Sequence, residues 1–483
     1  MLFNSLDFAI FLPIVFILYW FVTNRNLKLQ NLLIVAASYV FYGWWDWRFL
    51  ILIILSSVID FVAGINIANA KTEKKRKLFL SLSMLTNLGL LGFFKYFNFF
   101  IDNFTQVFSF FGHPISASSL DIVLPVGISF YTFQTMSYTI DVYRWQLEPT
   151  RDFIAFSAFV SFFPQLVAGP IERATHLLPQ FYKKRTFDYE FAKDGIRQML
   201  WGFFKKVVIA DNCAHFANIV FNDYGDYGGT TLAVGAVLFA FQIYGDFSGY
   251  SDIAIGLSKL FGFDLMRNFA YPYFSRDIAE FWRRWHISLS TWFRDYLYIP
   301  LGGSRGGNWM RIRNTFIIFL VSGFWHGANW TFIVWGALNA FYILPSIVLK
   351  TNRKNLDIVA ENTLLPNFRE FLQMGITFSL AVLAWIFFRA PNVSTAVDYI
   401  KSMFVKWNVG IGYPMKLLSG SYFILFFLAI MLLAEWLMRT REHPFQFARM
   451  KIPLWTRWCI YVFFTLSILW YAGDQEDFIY FQF

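Results

Sequence analysis

The chain has 483 residues, 57% of them apolar and only 15% charged, with 62 Phe, 24 Tyr, 19 Trp and a formal charge of +10. An ordinary soluble protein carries about a quarter charged residues, so this composition excludes a cytosolic enzyme, a disordered chain and a disulfide scaffold, and it points to a polytopic membrane protein. The basic excess then belongs in cytoplasmic loops beside anionic lipid, not on nucleic acid.

Residues 1–7 hold no Lys or Arg ahead of the first apolar run, which reads as a retained span and not a cleaved signal peptide. Runs of about 17–25 apolar residues cross a bilayer as helices. They are placed at 8–23, 29–45, 49–68, 78–97, 122–141, 199–221, 230–262, 314–349, 371–389, 421–438 and 455–472, about eleven spans of an all-α fold. Arg25 and Lys28 follow the first span, and Lys71, Lys74, Lys75, Arg76 and Lys77 follow the third. Residues 98–121 contain Asp102 and Asp121 but no Lys or Arg. The positive-inside rule therefore puts the N-terminus outside and the loop 71–77 in the cytoplasm.

That alternation breaks twice. Arg144 and Arg151 precede a shorter run at 153–169, and Arg173, Lys183, Lys184 and Arg185 follow it. The run is expected to dip in and return, which irregular backbone tolerates only inside protein or beside a water-filled cavity. The run 314–349 is also basic on both flanks and fits either two short spans or one long tilted helix with a hairpin. A bundle with such elements is expected to enclose a cavity.

The polar stretch 263–313 reads as interfacial helices on the cytoplasmic side. Apolar residues at 278, 281, 282, 285, 289, 292, 293 and 296 form one helical stripe, with Arg283, Arg284 and Arg294 on the other face. This predicts a single amphipathic helix over 278–296. A GGSRGG turn at 302–307 leads into the next run. Cys213 and Cys459, both in apolar surroundings, suggest neither a disulfide framework nor a metal cage.

Six histidines are present. His113 and His443 lie in turns and are expected to be solvated, while His176 and His215 read as packing or hydrogen-bonding groups. His326 differs. A helix entered near Thr315 carries it about 11 residues in, roughly 16 Å deep, where an ionisable group is costly and is a functional candidate. Gly323 and Gly327 beside it allow close backbone or substrate approach, and its chemistry suits proton transfer as well as an interhelical hydrogen bond. His286 sits at the edge of the 278–296 stripe, where it fits either a cavity mouth or a lipid interface. Asp246 and Asp252 are six apart on different faces, so the segment 244–252 reads as a buried polar network and not a paired-carboxylate catalyst.

The segments 281–296 (FWRRWHISLSTWFRDY) and 324–330 (FWHGANW) together resemble the membrane-bound O-acyltransferase family. The stretches 124–131 (LPVGISFY), 162–173 (FFPQLVAGPIER), 246–252 (DFSGYSD) and 478–483 (FIYFQF) are similar to its bacterial polysaccharide branch, that of alginate O-acetyltransferase membrane subunits. The resemblance runs through the whole chain and implies one domain over 1–483. It implies a ring of spanning helices around a central funnel, with His326 as the catalytic histidine and His286 as the upstream one. It also implies transfer of an acetyl group from a cytoplasmic thioester, acetyl-CoA, for O-acetylation of an exported polysaccharide such as alginate at the inner membrane. A periplasmic or extracellular acetyl-transferring partner is implied, and no bound cofactor or metal is expected.

On that reading His326 takes the proton of an acceptor hydroxyl as its oxygen attacks the thioester carbonyl. Asn329, Trp325, Trp330 or backbone N–H groups near Gly327 are candidates for stabilising the oxyanion. Arg283, Arg284 and Arg305 are candidates for the phosphates of coenzyme A, with anionic-lipid anchoring as their alternative. Three rivals remain: D-alanyl transfer to teichoic acid from a carrier-protein thioester, a non-enzymatic glycan or lipid transporter, and a purely structural membrane scaffold.

Overall fold

The structure, a computed structural model, describes residues 1–113, 115, 119–407, 416, 418, 421–447, 452–473 and 478–479. Among these every regular element is helical. The chain divides into two compact units, Met1–Lys193 with Leu257–Met266, and Asp194–Gly256 with Arg267–Phe483.

The first unit contains α1 (Leu6–Ile17), α2 (Leu27–Asp46), α3 (Leu50–Asn69), α4 (Glu73–Leu91), α5 (Phe97–Phe110), α6 (Ile128–Tyr143), α7 (Phe153–Ser161) and α8 (Ala174–Leu177). Short polar side chains start several of them by accepting an otherwise unmet backbone N–H: Ser5 from Phe8, Asn26 from Lys28 and Thr72 from Lys75. Helix α6 is buried on nearly all sides. Polar groups clip α3 to α4, with Asn87 Nδ2 2.8 Å from Asp60 Oδ2 and Ser56 Oγ 2.9 Å from Asn87 Oδ1.

Two expectations shift in this unit. The run 122–141 is helical only from Ile128, because Gly127 enters it in the left-handed region at φ 74°. Part of the expected loop 98–121 is instead helical as α5. The run 153–169 is a nine-residue helix, about 13 Å long and too short to cross a hydrocarbon core of about 30 Å. Its continuation is buried in turns, and side chains meet its backbone groups: Ser38 Oγ accepts from Phe163 N at 3.1 Å and Gln134 donates to Phe159 O at 2.7 Å.

The second unit takes most of α9 (Tyr189–Phe203) and α11 (Gly229–Leu260), and all of α10 (Asp211–Asn222), α12 (Ile278–Arg284), α13 (Ile287–Phe293), α14 (Gly307–His326), α15 (Trp330–Val348), α16 (Phe368–Arg389), α17 (Val393–Val405), α18 (Phe423–Leu437) and α19 (Leu454–Trp470). The run 314–349 resolves into two helices, α14 and α15, joined at Gly327, Ala328 and Asn329. Their backbones touch. A Cβ on Gly323 would lie 2.2 Å from Phe332 O, and one on Gly336 2.2 Å from Phe319 O, so small residues permit this approach.

Helices α11, α15 and α16 and the stretches Leu27–Asn69 and Glu73–Phe110 are long and apolar enough to cross a bilayer, and α18 and α19 are shorter apolar helices. Large apolar side chains lie bare on their surfaces, among them Leu466, Leu469 and Trp470 of α19. A water-facing surface does not tolerate such exposure. The protein is an all-α polytopic integral membrane protein.

Candidate active site

The expected helix over 278–296 is broken in the middle. Helix α12 stops at Arg284, α13 starts at Ile287, and His286 between them takes φ 44° and ψ 56°. A non-glycine residue there costs about 1–3 kcal/mol and persists only where its surroundings impose it. The irregular stretch before α12 imposes it. Ala270 N donates to Arg284 O at 2.9 Å, and Ile287 N donates to Asn268 O at 2.9 Å. These bonds take main-chain groups that a continuous helix would have paired internally.

The break turns His286 inward, not to a lipid-facing edge, and buries it to 1% exposure. Its Nδ1 lies 3.1 Å from Asn268 Oδ1. Phe247 packs edge-on at 4.5 Å, with Phe269 at 6.4 Å and Trp325 at 6.3 Å between ring centroids. Burial pushes the imidazole down to about 3, so it is neutral at physiological pH.

His326 is the last residue of α14, which begins at Gly307, ahead of Thr315, and it stands at the turn of the α14–α15 hairpin. Its ring is enclosed by Trp325 at 5.0 Å, Trp335 at 5.1 Å and Phe388 at 5.3 Å, all near perpendicular. Trp325 touches both histidines, so the two imidazoles share one aromatic wall. Gly323 and Gly327 serve the backbone approach of α15, because a Cβ on Gly327 would lie 2.1 Å from the Phe332 ring.

The three oxyanion candidates separate. Trp325 is buried, with its ring close to both imidazoles. Asn329 caps α15, accepting from Thr331 N at 3.0 Å and donating to Pro391 O at 2.9 Å, which occupies both ends of its amide. Trp330 is 54% exposed on the protein surface.

The arginines separate as well. Arg283 donates to the carbonyls of Asn352 and Asn355 at 2.9 and 2.7 Å. Arg284 pairs with Glu280 at 2.8 Å and reaches Asp357 O at 3.1 Å. Both are occupied in tying the loop after α15 onto α12, with Arg276 between Glu280 and Asp357 at 3.1 and 3.0 Å. Arg305 stands exposed on the turn before α14.

Beside them lies an open pocket of about 470 Å³ that sequence reasoning missed. Arg294, Arg311, Lys350 and Arg353 ring it together with the hydroxyls of Ser290, Tyr298, Ser304 and Thr315, and Ile318, Phe319, Ile343 and Ile347 form an apolar wall. From that wall a run of ring contacts leads to the histidine: Phe319 to Trp282 at 5.3 Å, Trp282 to Trp335 at 5.6 Å, and Trp335 to His326. The basic residues flanking 314–349 are the available signal in the sequence.

The segment 244–252 forms the expected polar network. Lys205 pairs with Asp252 at 2.6 Å and Ser248 at 2.8 Å, and Lys206 with Asp211 at 2.7 Å and Asp246 at 2.9 Å. Of the C-terminal motif 478–483 only Phe478 and Ile479 are among the described residues, and Ile479 N donates to Asp246 Oδ2 at 2.7 Å. His113 and His215 are exposed. His176 bonds Glu172 at 2.7 Å. His443 corrects the expectation of solvation, being 1% exposed with Nε2 3.1 Å from Asp194 Oδ1.

Residues 149–384 match the family model of the membrane-bound O-acyltransferase family. The chain is 42% identical over 408 residues to the "Probable alginate O-acetylase AlgI" of Pseudomonas aeruginosa, covering 84% of this chain and 75% of that one. It is 37% identical over 433 residues to the peptidoglycan O-acetyltransferase of Helicobacter pylori, covering 83% and 80%. To the teichoic acid D-alanyltransferase of Streptococcus thermophilus it is 28% identical over 299 residues, covering 54% and 68%.

Proposed function

The chain belongs to the membrane-bound O-acyltransferase family, and from that premise we propose that it moves an acetyl group from cytoplasmic acetyl-CoA toward the hydroxyls of an exported polysaccharide such as alginate. The observation that carries this reading is the pair of buried imidazoles, His286 and His326, that share contact with the ring of Trp325. The broader and closer likeness to polysaccharide O-acetylases than to a D-alanyltransferase supports acetyl over D-alanyl. The site of action is the inner membrane, with the N-terminus outside, and a periplasmic or extracellular protein passes the acetyl group to the glycan.

In the reaction His326 accepts the proton of the acceptor hydroxyl while that oxygen attacks the thioester carbonyl carbon. The tetrahedral intermediate collapses with cleavage of the carbon–sulfur bond, and the proton passes from His326 to the leaving thiolate. Trp325 offers an indole N–H to the oxyanion, and neutral His286 orients the acceptor. A positioned base supplies about 10²–10⁴-fold and an oxyanion donor about 10²–10³-fold. The phosphates of coenzyme A meet Arg294, Arg311, Lys350 and Arg353, the arginines as planar forks and the lysine as a point charge. The acyl arm then runs along Phe319, Trp282 and Trp335 to His326.

The test is acetyl transfer by the purified protein in liposomes, supplied with labelled acetyl-CoA and an acceptor glycan with its partner protein. His326→Ala abolishes transfer. Normal transfer by that variant overturns the mechanism, and transfer from a D-alanyl carrier thioester in place of acetyl-CoA overturns the donor.

A further inference from the structure

We propose that Asn268 is a positioning residue that holds His286 in the tautomer with its proton on Nδ1, so that Nε2 carries the lone pair that acts on substrate. The proposal rests on the reading of His286 as part of the acyl-transfer site.

The assignment follows from donor and acceptor types. Asn268 is fully buried. One atom of its amide faces three groups: the Ser288 backbone N–H at 3.3 Å, Ser288 Oγ at 2.9 Å and His286 Nδ1 at 3.1 Å. A backbone N–H can only donate, so the atom opposite it is the carbonyl oxygen. That oxygen can only accept, so Nδ1 must bring a hydrogen. In a neutral imidazole the other nitrogen then holds the lone pair. The far end of the amide points the same way, with Nδ2 3.0 Å from Ser251 Oγ on α11. Flipping the amide would set two donors against each other at Ser288.

Asn268 also fixes where the ring is. Its backbone oxygen accepts from Ile287 N, so one residue holds both the main-chain break at His286 and the side-chain tautomer. Among the described residues, Phe247 from α11, Phe269 beside Asn268 and Trp325 from α14 set their rings around His286, Ser288 Oγ from α13 lies 3.5 Å from its Nδ1, and none of these side chains carries a charge. An amide is the fitting partner in such a place. A carboxylate would orient the ring equally well but would favour the imidazolium, whereas an amide selects the tautomer and leaves the ring neutral.

Two measurements test this on the full-length protein in detergent. The first is nitrogen NMR of selectively ¹⁵N-labelled histidines, with the His286 signals identified by their loss in His286→Ala. The expected pattern is Nδ1 protonated and Nε2 bare, whereas Nε2–H or a doubly protonated ring overturns the proposal. The second is a double-mutant cycle. Asn268→Ala is expected to lower kcat about 10- to 100-fold, the range that misplacing a substrate-orienting group costs, with the KM for acetyl-CoA little changed.

In the His286→Ala background the same change is expected to cost nothing further. Asn268→Asp, which keeps the acceptor, is expected to recover part of kcat and to add a low-pH limb as the new carboxylate raises the imidazole. Additive losses, or Asp and Ala variants that behave alike, overturn the proposal. Wild-type transfer by His286→Ala overturns the functional reading of His286, while the ring measurement still judges the tautomer alone.

Discussion

The second unit buries two sets of polar side chains and satisfies them in opposite ways. In the first, Lys205 and Lys206 stand within 2.6–2.9 Å of Asp252, Asp211 and Asp246, so each cation meets a carboxylate. In the second, His286 and His326 are walled by rings, and the partner on His286 is a neutral amide. Charges that meet opposite charges in an apolar interior are held in place, and removing one strands the other. A buried imidazole set among rings, with no carboxylate shown against it among the described residues, is a candidate for chemistry and not for framework. The contrast separates framework from candidate site within the second unit.

His326→Ala should show the largest effect, a loss of at least about 100-fold in acetyl transfer with the apparent Tm in detergent unchanged. A fall in Tm as large as that of a framework variant would erase the distinction. Lys206→Met should do the reverse, destabilising by about 3–5 kcal/mol because Asp211 and Asp246 lose their shared cation. Lower yield and Tm on size-exclusion and thermal-shift analysis would report it, and an unchanged Tm would show that this cluster is not framework.

A smaller change is expected at the basic pocket. Arg311→Ala combined with Arg353→Ala should raise the KM for acetyl-CoA about 10-fold, as expected for lost charge-assisted bonds, and leave kcat alone. A changed kcat at constant KM would move the donor elsewhere.

The smallest concerns His176 in the first unit, whose imidazole is raised to about 10 by Asp264 and by Glu172. Its folded pKa exceeds the ordinary 6.5, so its stabilising contribution is complete below that value and is lost as pH rises toward 10. The Tm of the protein should fall across that window, and His176→Gln should flatten the fall. An unaltered pH profile in the variant would assign the fall to other groups.

Much of the site was legible without coordinates. His326 stood out because an ionisable residue amid glycine and aromatic neighbours in an apolar run is costly, and the 244–252 cluster read correctly as a network. The break at His286 was hidden, because the apolar stripe over 278–296 continues in phase across it. Asn268, which imposes the break, lies 18 residues upstream. His443 looked solvated because its neighbours are polar, yet its partner Asp194 is 249 positions away. Arg283 and Arg284 matched a phosphate site in type, but the carbonyls that occupy them come from a loop some 70 residues on.

Composition and periodicity alone determined that this chain is helical and lives in a membrane, because burial of apolar area and internal pairing of backbone groups are local demands that each segment must meet. The two candidate histidines were likewise written in the chain. Tertiary structure alone decided which imidazole faces which ring, which arginines are spent on loops, and where a basic pocket opens. Those outcomes depend on hydrogen bonds and ring contacts between distant segments, and a local pattern does not encode them.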